Sequence, residues 1–340
     1  MHMADALLSP AVGGTMWGVS AGAIIYCSRK LRQEMDTGKA PLMGVLAAFL
    51  FAAQMINFTI PATGSSGHLG GGLLLAVLLG PAAAFIAMAS VLVVQALFFA
   101  DGGLLALGCN IFNLGFLPAF LAYPFLYRPL IGSAPSKTRI TVVAMVAAII
   151  GLQLGAFAVV LETVASGVSS LPFAAFAGLM QPVHLAIGVV EGLVTGAVVS
   201  FVYQARPEII ESVQETRPQS KIPLRRVLAV FLAAALLSGG VVSWFASKNP
   251  DGLEWAIAKV TGGKELAASQ DGLHARLVAV QESTAFLPEY TFKKPEQQPE
   301  NGKGEEGSLG TSVAGIVGGL LALAIAFLSG ILLRKKGRVA

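Results

Sequence analysis

Residues 69–100 read LGGGLLLAVLLGPAAAFIAMASVLVVQALFFA, an uncharged run of 32 positions broken at Gly80-Pro81. A membrane-spanning helix needs roughly 20 apolar residues to cross ~30 Å of hydrocarbon. The run is too long for one comfortable span and short for two. How many crossings it makes decides the topology of the whole chain.

Other apolar runs of helical length fall at about 10–28, 42–60, 109–127, 140–162, 183–203, 226–246 and 312–333. Of the 23 Lys and Arg residues, four lie in 29–39, three in 128–139, five in 206–226 and four in 334–338. The positive-inside rule puts these sixteen in the cytoplasm. Segments 29–39 and 128–139 then share a side, so an even number of crossings separates them. Spans 42–60 and 109–127 supply two, and residues 69–100 must add none or two. Two short helices hinged at Gly80-Pro81 fit the apolarity better than none. The prediction is an all-α polytopic membrane protein with nine crossings, its N-terminus outside and its C-terminus in the cytoplasm of a prokaryotic cell. MHMAD lacks a basic start, which argues against a cleaved signal peptide.

The organisation follows. Residues 1–204 form a seven-span bundle and 205–225 a charged cytoplasmic connector. Residues 226–333 form a two-span hairpin around an external loop, 247–311, and 334–340 form a basic tail. Cys27 and Cys109 sit near opposite ends of their spans, too far apart to be bridged.

Composition narrows function. The chain is 55% hydrophobic and only 12% charged, against about 25% in soluble domains. That excludes an ordinary soluble enzyme, a disordered chain and a nucleic-acid binder. The net charge of +4 signals no acidic ligand, because most of the basic residues mark one membrane face. No G-x-x-x-x-G-K-[ST] occurs, so ATP hydrolysis by this chain is not expected. Acids within spans are limited to Glu162 and Glu191, with Asp101 at a boundary, which is sparse for a proton-coupled carrier.

The histidines carry more. A free α-amine on Met1, the backbone amide nitrogen of His2 and the His2 imidazole can chelate one ion through fused five- and six-membered rings. In-plane nitrogen sets of this kind favour square-planar Ni(II) or Cu(II). The expected topology places His68 on the same side, where it would close the plane. The plainer alternative is a polar residue on a frayed terminus. His184 opens a span, with Glu191 seven residues on along the same helix face. His274 reads as a solvated loop residue. Gly14, Gly18 and Gly22 form a row read as packing within the bundle, and Ala48 and Ala52 a row read as a docking surface.

MHMADALLSP, QMINFTIPATGSSGHLGGGLLL (54–75) and QPVHLAIGVVEGLVTG (181–196) together resemble the substrate-binding M component of nickel/cobalt energy-coupling-factor transporters. Asn249-Pro250-Asp251-Gly252-Leu253-Glu254, with Phe286-Leu287-Pro288-Glu289-Tyr290, resembles the auxiliary N component of the same systems. The resemblance implies an M–N fusion that captures Ni(II) or Co(II) as transported substrate, with no resident cofactor. Met1, His2 and His68 would be the ligands. Asn57, Ser65, Ser66, Asn110 and Asn113 are candidates to orient the imidazoles, with hydrogen bonding between helices as the alternative for each. His184 and Glu191 match a family motif without an assigned role. The implied partners are a transmembrane coupling (Q/T) subunit, reached through the Ala48/Ala52 face, and two ATPase (O/A) subunits. Asp5-Ala6-Leu7-Leu8 departs from the Gly-Phe-Leu or Gly-Tyr-Leu of the commonest cobalt-type start, and the resemblance favours nickel over cobalt. The rivals are a proton-coupled divalent-metal carrier, which would rest on Glu162 and Glu191, and a membrane metal sensor.

Overall fold

A computed structural model describes residues 2–34, 38–210, 222–263, 266, 272–293 and 305–333. Met1, most of the connector, parts of the loop 247–311 and the tail 334–340 lie outside the described residues. The fold is helical: α1 (Pro10–Glu34), α2 (Lys39–Gln54), α3 (Gly72–Leu79), α4 (Pro81–Phe99), then a continuous α5 (Leu107–Ile131). There follow α6 (Lys137–Ser166), α7 (Phe173–Ala205), α8 (Leu224–Gly240), α9 (Gly252–Thr261), α10 (Gly272–Thr284) and α11 (Glu305–Leu333). Five of these, at Pro81–Phe99, Leu107–Ile131, Lys137–Ser166, Phe173–Ala205 and Leu309–Leu333, are long and apolar enough to cross a membrane. This is a polytopic helical membrane protein.

The deciding stretch does break at Gly80-Pro81, but its halves are unequal. Gly80 (φ 78°) breaks the helix and Pro81 opens α4 at its first position, where a missing N–H costs nothing. α4 has 19 residues and is buried nearly all round, as a helix apolar on every side must be. α3 has only eight residues, roughly 12 Å of helix and well short of a span. Ahead of it, residues 68–71 run non-helically beside the middle of α7. Irregular backbone at this depth survives only when protein satisfies it. Here Glu191 accepts the Gly70 N–H through Oε2 at 2.9 Å and the Gly71 N–H through Oε1 at 3.0 Å. Gln54 Nε2 donates to the Gly70 carbonyl at 3.0 Å, and Gln95 Nε2 donates to Gln54 Oε1 at 2.9 Å. Gly71 has φ +76°, and a Cβ there would sit 2.1 Å from Leu50 Cδ1.

The expected span 42–60 also shortens. Its helix stops at Gln54, and the chain continues into a hairpin of β1 (Phe58–Ile60) and β2 (Ser65–Gly67), paired antiparallel with Thr59 opposite Ser66. Loop 247–311 is not simply polar linker, because it carries α9 and α10. His274 on α10 is buried, with Nε2 2.9 Å from the Leu8 carbonyl, which corrects its reading as solvated. Cys27 and Cys109 are both buried free thiols.

Both small-residue rows are reversed from expectation. Ala48 and Ala52 are buried, and α11 packs on α2 through its own four-spaced row of Ala314, Gly318, Ala322 and Ala326. The chain itself covers the alanine face. Gly14, Gly18 and Gly22 are exposed, with nothing within 4 Å of an added Cβ. A Cβ on Gly318 would lie 2.0 Å from Phe51 Cζ. Gly318→Val is therefore expected to cost about 2–3 kcal/mol by overpacking, read as a lower unfolding midpoint in detergent. Gly14→Val should leave that midpoint within about 0.5 kcal/mol of wild type.

Candidate metal centre

The N-terminal segment is held, not frayed. Met3 is fully buried, and its N–H donates to Asn110 Oδ1 at 2.8 Å. Its carbonyl accepts from Gly103 N–H at 2.9 Å and Asn110 Nδ2 at 3.3 Å. Asp5 Oδ1 accepts the Ala106 N–H at 3.0 Å. These bonds fix the backbone on the carboxyl side of His2 and place its ring against His68. The two imidazoles stack with centroids 5.0 Å apart and planes 9° from parallel. The sequence set these residues 66 positions apart, and the fold brings them together.

Their surroundings define the chemistry. His2 Nδ1 lies 3.0 Å from Asp101 Oδ1, and Tyr290 donates its hydroxyl to Asp101 Oδ2 at 2.5 Å. His2 Nε2 is buried without a hydrogen-bond partner among the described residues. His68 Nδ1 sits 3.1 Å from the Leu69 carbonyl. Burial pushes the His68 imidazole down to about 3, so at neutral pH it is the uncharged ring that metals require. Burial opposes ionisation of Asp101, yet the His2 ring and the Tyr290 hydroxyl hold its carboxyl below the usual carboxylate range.

The histidines open onto a cavity of about 530 Å³ that Asp5, Asp101, Asp251, Glu254 and Glu289 also line. Five carboxylates around two imidazoles make a field that suits a cation. The C-terminal part of the chain builds more than a third of this wall. Pro250 accepts the Ser66 N–H at 2.8 Å, Ser66 Oγ donates to the Asn249 carbonyl at 2.8 Å, and Ser66 and Asp251 form a parallel β-bridge. Trp255 Nε1 donates to the Thr63 carbonyl at 2.9 Å. Asp251-Gly252-Leu253-Glu254 is itself a capping box: Asp251 Oδ1 accepts from the Leu253 and Glu254 N–H groups at 2.8 Å each, and Glu254 Oε2 accepts the Asp251 N–H at 3.2 Å. That reciprocal pairing satisfies the first donors of α9.

Four of the five candidate orienting residues bond elsewhere than to the rings, while Asn57 lines the cavity with its side-chain oxygen unpartnered among the described residues. Asn110 holds Met3, and Asn113 Nδ2 donates to Glu162 Oε2 at 2.7 Å. Ser65 pairs with Thr63, Ser66 with residues 249–250, and the Asn57 carbonyl accepts the Ser247 N–H at 2.7 Å. Glu191 does not pair with His184, because both its oxygens hold Gly70 and Gly71. Asp101, Asp251 and Tyr290 are the functional residues that sequence reasoning did not select. A lone acid closing an apolar run, followed by Gly102-Gly103, was the available signal for the first. Among the described residues, no three His, Cys, Asp or Glu side chains close on one point.

Fold and site together define a multi-pass membrane protein with a pocket lined by two imidazoles and several carboxylates. Residues 2–209 match the family model for the cobalt uptake substrate-specific transmembrane region, CbiM, and residues 225–335 match the PDGLE domain. The putative fused nickel transport protein NikMN of Archaeoglobus fulgidus is 34% identical over 327 residues, 96% of this chain and 97% of that one. The fused nickel transport protein NikMN of Rhodobacter capsulatus is 30% identical, covering 85% of this chain and 88% of its own. A crystal structure titled as a truncated transition metal transporter superposes with a TM-score of 0.53 at 29% identity, over 60% of this chain and 99% of that one. The chain belongs to the CbiM family and, carrying the PDGLE domain as well, is a fused M–N component of the NikMN/CbiMN type. It is a nickel/cobalt transport component.

Proposed function

We propose that the chain is the substrate-capture subunit of an ATP-driven importer, taking Ni(II) in preference to Co(II) from outside the cell. One observation carries the reading: the His2 ring, held near the chain's start, stacks on the buried His68 ring inside an acid-lined cavity. In this reading the Met1 amine, the His2 amide and imidazole, and His68 supply four nitrogens. The six-membered chelate ring closes through His2 Nδ1, the atom that Asp101 holds in the structure. Capture therefore releases the His2 amide and Nδ1 protons to solvent and exchanges the carboxylate oxygen for the ion, and Asp101 waits beside the site to reverse the exchange. A transmembrane coupling subunit and two ATPase subunits supply the energy. The exposed glycine row of α1, unlike the covered alanine row, is an open small-residue face.

Purified full-length chain should bind one equivalent of Ni(II) at neutral pH, and the bound ion should be diamagnetic. Four in-plane nitrogens split the d⁸ levels enough to pair the electrons. A paramagnetic, six-coordinate ion at the same stoichiometry would refute the planar nitrogen set.

A further inference from the structure

One buried imidazole is left over. His184, on α7, is 1% exposed. Its Nδ1 sits 2.7 Å from the Met180 carbonyl. A carbonyl only accepts, so Nδ1 carries the ring proton and the lone pair is on Nε2. That Nε2 is buried and has no hydrogen-bond partner among the described residues. Leaving such an acceptor unmet in the interior is costly. The arrangement, with one nitrogen anchored on a carbonyl and the other bare, is the one that metal-binding histidines use.

His184 lines a second cavity, of about 10 Å³, together with His68 and Asp251. Those two residues also line the large outer cavity, so they form a shared wall. A space this small holds a single atom-sized guest. Two glycines press its walls onto α7, one from each half of the chain. A Cβ on Gly67 would fall 2.4 Å from Ile187 Cγ1, and one on Gly252 would fall 2.6 Å from Val183 Cγ1 and 3.2 Å from His184 Cε1. Counting from Phe173, His184 lies eleven positions into α7, roughly 16 Å along its axis.

We infer that His184 Nε2 is a second ligand position for the transported divalent cation, receiving it from the His2–His68 pair through the wall formed by His68 and Asp251. The inference rests on the capture reading above. The ion gives up the main-chain nitrogens of the outer site and gains His184, while the Asp251 carboxylate balances its charge. As the ion leaves, the His2 amide nitrogen and His2 Nδ1 take back the protons that metal binding displaced, and apart from these N–H bonds only metal–ligand bonds are made or broken.

Cys and Ser are nearly isosteric, and only Cys restores a good metal donor, so His184→Cys and His184→Ser test the idea as a pair. Both purified variants should bind one Ni(II) with affinity within about twofold of wild type. Uptake of radioactive nickel by cells producing the chain with the rest of its transporter should fall about tenfold or more for His184→Ser. His184→Cys should recover a substantial part of that loss. Equal uptake by the two variants, wild-type uptake by His184→Ser, or a loss of capture matching the loss of uptake would each overturn the second ligand position. A wild-type chain that binds no nickel would instead overturn the capture reading on which it stands.

Discussion

Adding one residue ahead of Met1 should abolish stoichiometric nickel binding by the purified chain, with affinity falling at least about 100-fold, or about 2.7 kcal/mol. The extension turns a primary amine into an amide whose lone pair is delocalised, and the five-membered ring loses its first donor. It also adds bulk next to a segment with no slack. Met3 is fully buried and bonded to Asn110 and Gly103, and Leu7 and Leu8 are buried behind it. The chain therefore cannot slide outward by one residue to present a new terminus. His2→Ala should match the loss, because it removes the imidazole while keeping the amine. Thermal stability separates binding from folding: the extended chain should unfold within a degree or two of wild type, since none of the anchoring bonds involves the added residue. Undiminished binding by the extended chain would show that the amine is not a ligand.

Much of the fold was legible because hydropathy and basic residues report on the bilayer directly. Helix type and the break at Gly80-Pro81 follow from local composition, and the placing of His2 and His68 on one side follows from the topology that the basic residues set. What the sequence concealed was set by partners distant in the chain. Residues 69–79 read as uniformly apolar, and nothing local shows that the first few are extended. The bond that permits it comes from Glu191, 121 positions from Gly70. Likewise, Ala48 and Ala52 read as an open face only while α11 is out of view, and that helix fills it with Ala314, Gly318, Ala322 and Ala326. Asp251 and Tyr290 were visible as parts of motifs. Their place in the pocket depends on β-pairing with Ser66 and a hydrogen bond to Asp101, which spacing does not reveal. The PDGLE part of the chain thus helps to line the pocket that holds His2 and His68.

Glu191 is where fold and function meet, and its replacement should have the second-largest effect. His68 is two residues before Gly70, and the Gly70 and Gly71 N–H groups both end on the Glu191 carboxylate. Glu191→Leu keeps the side-chain bulk but leaves two donors unmet inside the bundle. At about 1–3 kcal/mol for each buried unsatisfied group, the variant should lose about 2–6 kcal/mol of stability. Glu191→Gln should lose about half as much, because its amide oxygen still accepts one N–H while its NH₂ faces the other donor. Lost metal affinity should track the released N–H groups, since freeing residues 70–71 frees the ring of His68 in turn. On that basis Glu191→Gln, folded and monodisperse in detergent, should bind nickel about tenfold more weakly than wild type. Gln54→Leu gives the contrasting case. It releases only the Gly70 carbonyl, which has two lone pairs and tolerates under-satisfaction better than an N–H does, so its effect on both readouts should be smaller. Equal stability and equal affinity for Glu191→Gln and wild type would mean that the descent of residues 68–71 holds itself. The carboxylate buried at the centre of α7 would then need another reason to be there.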